Sequence, residues 1–148
     1  MKKSKDSCDL KTCFLCRQCL PEWLPAIDAN RKVFHFKKGE ALFREGDLMT
    51  GIYFIYNGTV KVHKKWGSEK ELIVRFAKKG DIAGHRGLGN DHSYSVTATA
   101  LELVAACFIE MGFFNATIKV NTGFLFELMM FFAEELKCLK EKCATWLT

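Results

Sequence analysis

The chain has only two prolines, Pro21 and Pro25, and no low-complexity segment or internal repeat. Its longest apolar stretch runs from residue 124 to 133 and is broken by Glu127. That is about half of the roughly 20 residues needed to span a bilayer. The N-terminal eleven residues are charged and lead into no apolar signal core, so a cytoplasmic location is expected. One-sided charge is also missing: the net charge of +5 is mild, and basic and acidic residues are mixed. The Lys-Lys pairs at 37–38, 64–65 and 78–79 fit a solvated surface better than a phosphate-binding stripe.

Catalytic signatures are equally scarce. There is no P-loop, no G-x-G-x-x-G and no Ser-His-Asp order. The four histidines, His35, His63, His85 and His92, form no H-x-H pair and have no glutamate at a cupin-type offset. An enzyme is not expected.

The sequence does have enough length, 148 residues, for one domain with a core. It also has glycines that punctuate short apolar runs. Gly39-Glu40 leads into a strand through Phe43, and Glu45-Gly46-Asp47 turns the chain. The run 52–56 lacks alternation, which predicts burial on both faces. Asn57-Gly58 then predicts a tight type I′ hairpin to 59–65, with φ > 0 at both central residues. Gly67-Ser68 predicts the next turn, residues 72–77 a strand, and Gly80-Asp81 and Gly84 further turns. From 94 to 100, Val96, Ala98 and Ala100 alternate with Ser95, Thr97 and Thr99, and 103–109 is a last strand. About eight short strands spaced by turns predict an antiparallel β-roll of jelly-roll type with flanking helices.

At the N-terminal side, Pro21 is expected to open a short helix with Trp23, Leu24 and Ile27 facing inward, limited in length by Pro25. Near the C-terminus, Leu125, Met129, Phe132, Leu136, Leu139, Cys143 and Trp146 are spaced 4, 3, 4, 3, 4, 3. This is a heptad seam, and it predicts a helix that pairs as a parallel dimeric coiled coil. Its first turns, to Phe132, also pack on the roll. The expected organisation is a cysteine-rich segment over 1–19, a β-roll sensor over 20–120 with short flanking helices, and a dimerisation helix over 121–148.

Seven cysteines are present. In a reducing compartment they read as metal ligands or thiols before disulfides. Cys8, Cys13, Cys16 and Cys19 follow C-x4-C-x2-C-x2-C in a segment with no periodicity of its own, a spacing able to wrap zinc or an iron–sulfur cluster. The alternative without metal is a disordered tail with Cys107 as a small buried residue; Cys138 and Cys143 belong to the helix and read as structural.

Four segments carry a family resemblance: G-E-A-L-F-R-E-G-D at 39–47, Y-F-I-Y-N-G-T-V-K-V at 53–62, G-D-I-A-G at 80–84 and S-V-T-A-T-A-L-E at 95–102. With the helix that follows, they resemble the sensor half of the CRP/FNR family of bacterial transcription regulators. The resemblance covers residues 13–146. It implies a cyclic-nucleotide-binding fold, a homodimer, and a small-molecule effector that the sequence leaves unidentified. It also implies a DNA-reading helix-turn-helix beyond the dimer helix, where this sequence ends at Thr148; a separated DNA-binding half and a stand-alone sensor are both compatible with that ending. The implied effector pocket is Gly84, His85, Arg86, Tyr94 and Ser95. Nucleotide-binding relatives carry Glu after the glycine and an Arg-Ser pair further on. Here His85 and Arg86 follow Gly84, and Tyr94 stands in the arginine's place. Ordinary cAMP binding is therefore not expected, because a lost charge-assisted phosphate contact costs about 1.5–3 kcal/mol. The cysteines resemble those of the oxygen-sensing FNR branch, which implies a [4Fe–4S] cluster on Cys13, Cys16, Cys19 and Cys107, with Cys8 as an alternate ligand; zinc or no metal are the other options. A module that acts only in dimerisation, with a non-standard or absent ligand, is the second functional expectation.

Overall fold

The computed structural model describes residues 2–3, 13–89 and 91–147, with side chains described for 13–89 and 91–138. Nine strands and four α-helices occur among the described residues. The strands are β1 (Lys2–Lys3), β2 (Lys32–Phe36), β3 (Ala41–Phe43), β4 (Gly51–Asn57), β5 (Val60–Trp66), β6 (Lys70–Ala77), β7 (Ile82–Ala83), β8 (Thr97–Ala100) and β9 (Val104–Glu110). The helices are α1 (Phe14–Gln18), α2 (Leu24–Asn30), α3 (Met111–Val120) and α4 (Thr122–Leu147). All pairings are antiparallel, in a five-stranded sheet β1-β2-β9-β4-β7 and a four-stranded sheet β3-β8-β5-β6. This is the expected β-roll.

Strand register sorts the core. Val33 and Phe54 sit opposite Cys107, whereas Phe34 and Ile55 sit opposite Ala106. Successive residues point to opposite faces of a sheet. Cys107, Val33 and Phe54 therefore share one face, and Tyr53, Ile55, Phe36 and Phe108 the other. The second face is the roll interior, where Tyr53 rings meet Phe36, Phe43 and Phe108 at 6.2, 5.8 and 4.9 Å. Residues 52–55 are buried on both faces, as the unbroken apolar run predicts.

The Asn57-Gly58 hairpin does not form. β4 pairs with β7 and β9, and β5 pairs with β6 and β8, so the turn carries the chain from one sheet to the other. Only Gly58 takes positive φ, at 91°, and Asn57 stays in β4 opposite Ala105. A Cβ on Gly58 would meet the Leu103 carbonyl oxygen at 2.5 Å. The glycine thus serves a close crossing of two segments as well as the turn. The Gly67 turn does make a hairpin, β5–β6, with Trp66 opposite Lys70.

The segment before the roll is more ordered than its sequence suggests. Cys13 caps α1, its sulfur accepting from the Cys16 amide at 3.3 Å. Pro25 lies in the first turn of α2, where a missing N–H costs nothing, so it starts that helix and does not limit it. Ile27 is buried as expected, with Trp23 and Leu24 half-buried. The Trp23 ring stacks on Phe113 at 5.6 Å and donates to the Thr117 hydroxyl at 3.0 Å. At Asn121 the chain breaks between α3 and α4, which meet at 108°. The buried Asn121 side chain holds the break, accepting from the Leu20 amide at 2.7 Å and donating to the Thr117 carbonyl at 3.0 Å.

Candidate functional site

Two stripes run along α4. Phe124, Leu128, Phe131, Glu135 and Cys138, spaced 4, 3, 4, 3, face the roll; Phe124 and Leu128 are buried. Phe124 and Phe131 hold the Phe14 ring of α1 at 5.8 and 5.5 Å. One residue along, Leu125, Met129 and Leu136 of the heptad seam are 43%, 56% and 66% exposed. Phe132 is half-buried, its ring 5.1 Å from His85. The side chains of Leu139, Cys143 and Trp146 lie outside the described residues.

The turn after β7 meets this helix. Gly84 has φ of 92° and starts a single 3₁₀ turn over His85–Gly87. A left-handed residue is required there, and a Cβ would press on the Tyr94 and Phe43 rings at 3.3 and 3.4 Å. The turn aims His85 and Arg86 at α4. His85 is 2% exposed, so it is not part of a solvated turn. Its Nε2 hydrogen-bonds Glu135 Oε1, and Arg86 donates to Glu135 Oε2 from Nε at 3.1 Å and from Nη2 at 2.5 Å. Phe131 and Phe132 flank the imidazole, each 5.1 Å away. Ser95 donates to the Arg86 carbonyl at 3.3 Å.

Burial pushes the His85 pKa below its ordinary value against the opposing pull of Glu135; Nδ1 is buried without a hydrogen-bond partner. Burial alone would raise the Glu135 carboxyl, but the hydrogen bonds and charge of His85 and Arg86 outweigh it and hold the group at about 2. The permanent charge is that of Arg86. Beside this cluster lies a cavity of about 340 Å³, lined by Val74, Arg75, Arg86, Phe131, Glu135 and Cys138 among others. Arg75 donates to the Ile82 carbonyl at 3.0 Å and lays its guanidinium over Phe131 at 5.1 Å.

Tyr94 goes elsewhere. It is buried, stacks on Phe43 with centroids 4.2 Å apart, and donates to the Gly51 carbonyl at 2.8 Å. The structure therefore brings His85 and Arg86 onto Glu135, with Gly84 opening their turn and Ser95 bonded to its backbone, while Tyr94 fills the roll interior behind Gly84. Glu135 is the residue that sequence reasoning missed. The signal was there: it occupies a place in the second 4-3-4-3 stripe, as that stripe's polar member.

The described cysteines Cys13, Cys16, Cys19 and Cys107 are all buried in the core. Among the described residues no three His, Cys, Asp or Glu side chains are grouped to hold a metal. Cys16 is committed to α1, and the Cys107 sulfur lies 4.0 Å from the Arg31 guanidinium. Burial, with Cys13 nearby, pushes the Cys19 thiol up to about 12. Cys8 lies outside the described residues. Cys138, expected as a structural helix residue, is at the cavity wall. No single helix among the described residues is long and apolar enough to cross a membrane.

A family model for the cyclic nucleotide-binding domain matches residues 33–121, from β2 to the end of α3. The chain belongs to the cyclic nucleotide-binding domain family. This domain is 34% identical over 103 residues to the transcriptional activator protein Anr of Pseudomonas protegens, a match covering 66% of the chain and 42% of that protein. It is 36% identical over 71 residues to the fumarate and nitrate reduction regulatory protein of Escherichia coli, covering 48% of the chain and 28% of that protein. The chain thus spans less than half the length of these curated relatives, and it is homologous to the sensor-domain region of CRP/FNR-type transcription regulators. In fold it is similar to the catabolite activator protein of Thermus thermophilus, with TM-score 0.76, 18% identity, and coverage of 88% of this chain and 62% of that one. It is similar also to the sensor domain of the transcriptional regulator DNR from Pseudomonas aeruginosa, with TM-score 0.73, 19% identity and 86% of both chains covered.

Proposed function

We propose that this domain is the effector-sensing and dimerisation module of a CRP/FNR-type regulator, acting in the cytoplasm and without catalysis. One observation carries the reading: the two stripes of α4. One stripe docks on the roll and is tied at Glu135 to the turn that holds the candidate effector residues. The other, Leu125, Met129 and Leu136, is left exposed for a second copy. A signal at the turn then changes how two α4 helices cross. In a longer protein that crossing would set two DNA-reading heads on half-sites. The effector must bind the two arrangements of α4 unequally. Gel filtration of a Leu136→Glu, Leu139→Glu variant tests the dimer; an unchanged dimer would sink it. The alternative, a module that only dimerises, is separated by calorimetry with cAMP and cGMP and by screening for other effectors.

A second reading, redox or oxygen input at the N-terminal segment, is favoured by the packing of α1 between roll and α4. Phe14, flanked by Cys13 and Cys16, sits against Phe124 and Phe131. Any change of chemistry at these sulfurs would disturb the docking of α4. Iron and zinc analysis of anaerobically purified protein, with its visible spectrum, tests the metal form of this input.

A further inference from the structure

Three nitrogen-bearing side chains, Arg75, His85 and Arg86, converge beside one backbone turn. Guanidiniums in a part-buried cleft are chemistry for an anion. Here the chain supplies the anion itself. Glu135 gives Oε2 to both Arg86 bonds and Oε1 to His85, and its side chain is only 13% exposed.

Arg75 is less fully neutralised. Its Nη2 lies 3.8 Å from Asp81, whose side chain is largely open to solvent. The enclosed charges are therefore two cations, Arg75 and Arg86, against one carboxylate, Glu135. The adjacent cavity of about 340 Å³ has an apolar wall of Val74 and Phe131 and an acidic residue, Glu134, on its lining. Its volume suits a small molecule with an apolar body and one anionic group.

We propose that Glu135 is a built-in surrogate for the effector's anionic group. A small carboxylate or phosphate ligand entering the cavity displaces Glu135 from Arg86 and so unfastens α4 from the roll. The proposal rests on the reading of Gly84–Arg86 as part of an effector pocket. An intramolecular carboxylate competes at a high effective concentration. The apparent affinity of the intact domain for an anion is then reduced to the fraction of time that Glu135 is away. Ligand binding and helix release become one event, because both draw on the same guanidinium.

Calorimetric titration with inorganic phosphate, which carries charge alone, and with benzoate, which adds an apolar body, tests this. The proteins are the full chain, Glu135→Gln, Arg86→Gln and the double variant. Glu135→Gln is expected to bind at least one probe about tenfold or more tighter than the parent chain, and the double variant to lose that gain. Amide exchange over residues 132–138 of the parent chain is expected to speed up at saturating probe, a readout that stands even if a variant fails to fold. Equal affinities for parent and Glu135→Gln, both weakened by Arg86→Gln, would overturn the surrogate and leave the pocket. No binding by any protein and unchanged exchange would overturn both.

Discussion

Arg86, on the turn after β7, and Glu135, on α4, are joined by two hydrogen bonds of 2.5 and 3.1 Å across 49 residues of sequence. This pair, with both guanidinium N–H groups on Oε2 and His85 on Oε1, is a polar fastening between the roll and the helix. Beside it the Arg75 guanidinium lies over the Phe131 ring, and Phe124 and Leu128 add apolar contact. Arg86→Gln should therefore loosen α4 selectively. The loss of a charge-assisted contact costs about 1.5–3 kcal/mol. Chemical denaturation should show it, and amide exchange should speed up in α4 more than in β4 or β9.

Acid should undo the same fastening. Glu135 is held at about 2, below its ordinary 4.5, so its contribution is fully present above 4.5 and is lost as pH falls toward 2. His85 is shifted below its ordinary 6.5 because burial disfavours its charged form, so its contribution is complete above 6.5 and declines as pH falls beneath that value. Both losses run the same way. Thermal melts from neutral to acid pH should fall, and His85→Gln should flatten the part of the decline that begins below 6.5. An identical slope in that variant would place the titration elsewhere.

Tyr94 is predicted to be a packing residue with one polar bond. Tyr94→Phe removes the bond to the Gly51 carbonyl and should cost about 0.5–1.5 kcal/mol. Tyr94→Ala should cost about 3–5 kcal/mol, as other large aromatic truncations do. Urea midpoints of the two variants measure the difference.

Gly58→Ala should destabilise despite being a single methyl. Its φ of 91° disfavours a side chain, by about 1–2 kcal/mol, and the new Cβ would crowd the Leu103 carbonyl. A hairpin-tip glycine would tolerate more, so the size of the loss distinguishes a sheet-to-sheet crossing from a hairpin.

The exposed stripe of α4 predicts self-association. Met129→Glu with Leu136→Glu leaves the roll-facing stripe intact and should convert the dimer to a folded monomer by sedimentation. A dimer that survives would mean that the copies meet through another surface.

Much of the fold was legible because local patterns carry it. The unbroken run at 52–56, the alternation at 95–100 and the Gly67 turn each state their own geometry, and each appears as read except at Tyr56, which is only half-buried. The turn at 57–58 was misread because Asn-Gly reports only that the chain reverses; which sheet receives the next strand depends on Thr97–Ala100 and Val104–Glu110, far along the chain. The cysteine spacing allowed a ligand set, yet spacing cannot report that α1 forms and caps itself with Cys13. In the candidate site, Gly84, His85, Arg86 and Ser95 could be named from the sequence, but their common partner on α4 could not.

The sequence by itself determined the β-roll and the heptad seam of the C-terminal helix, since hydrophobic periodicity is a property of neighbours a few residues apart. Its resemblance to nucleotide-binding relatives added the expectation that the turn after Gly84 lacks their carboxylate and that Tyr94 stands in their arginine's place. Only the tertiary structure decided what those departures mean. Folding carries Glu135 to His85 and Arg86 from 49 residues away, and the Tyr94 ring packs the interior behind Gly84. An ion pair between distant segments leaves no local pattern, because its energy depends on a distance that the packing of α4 on the roll alone sets.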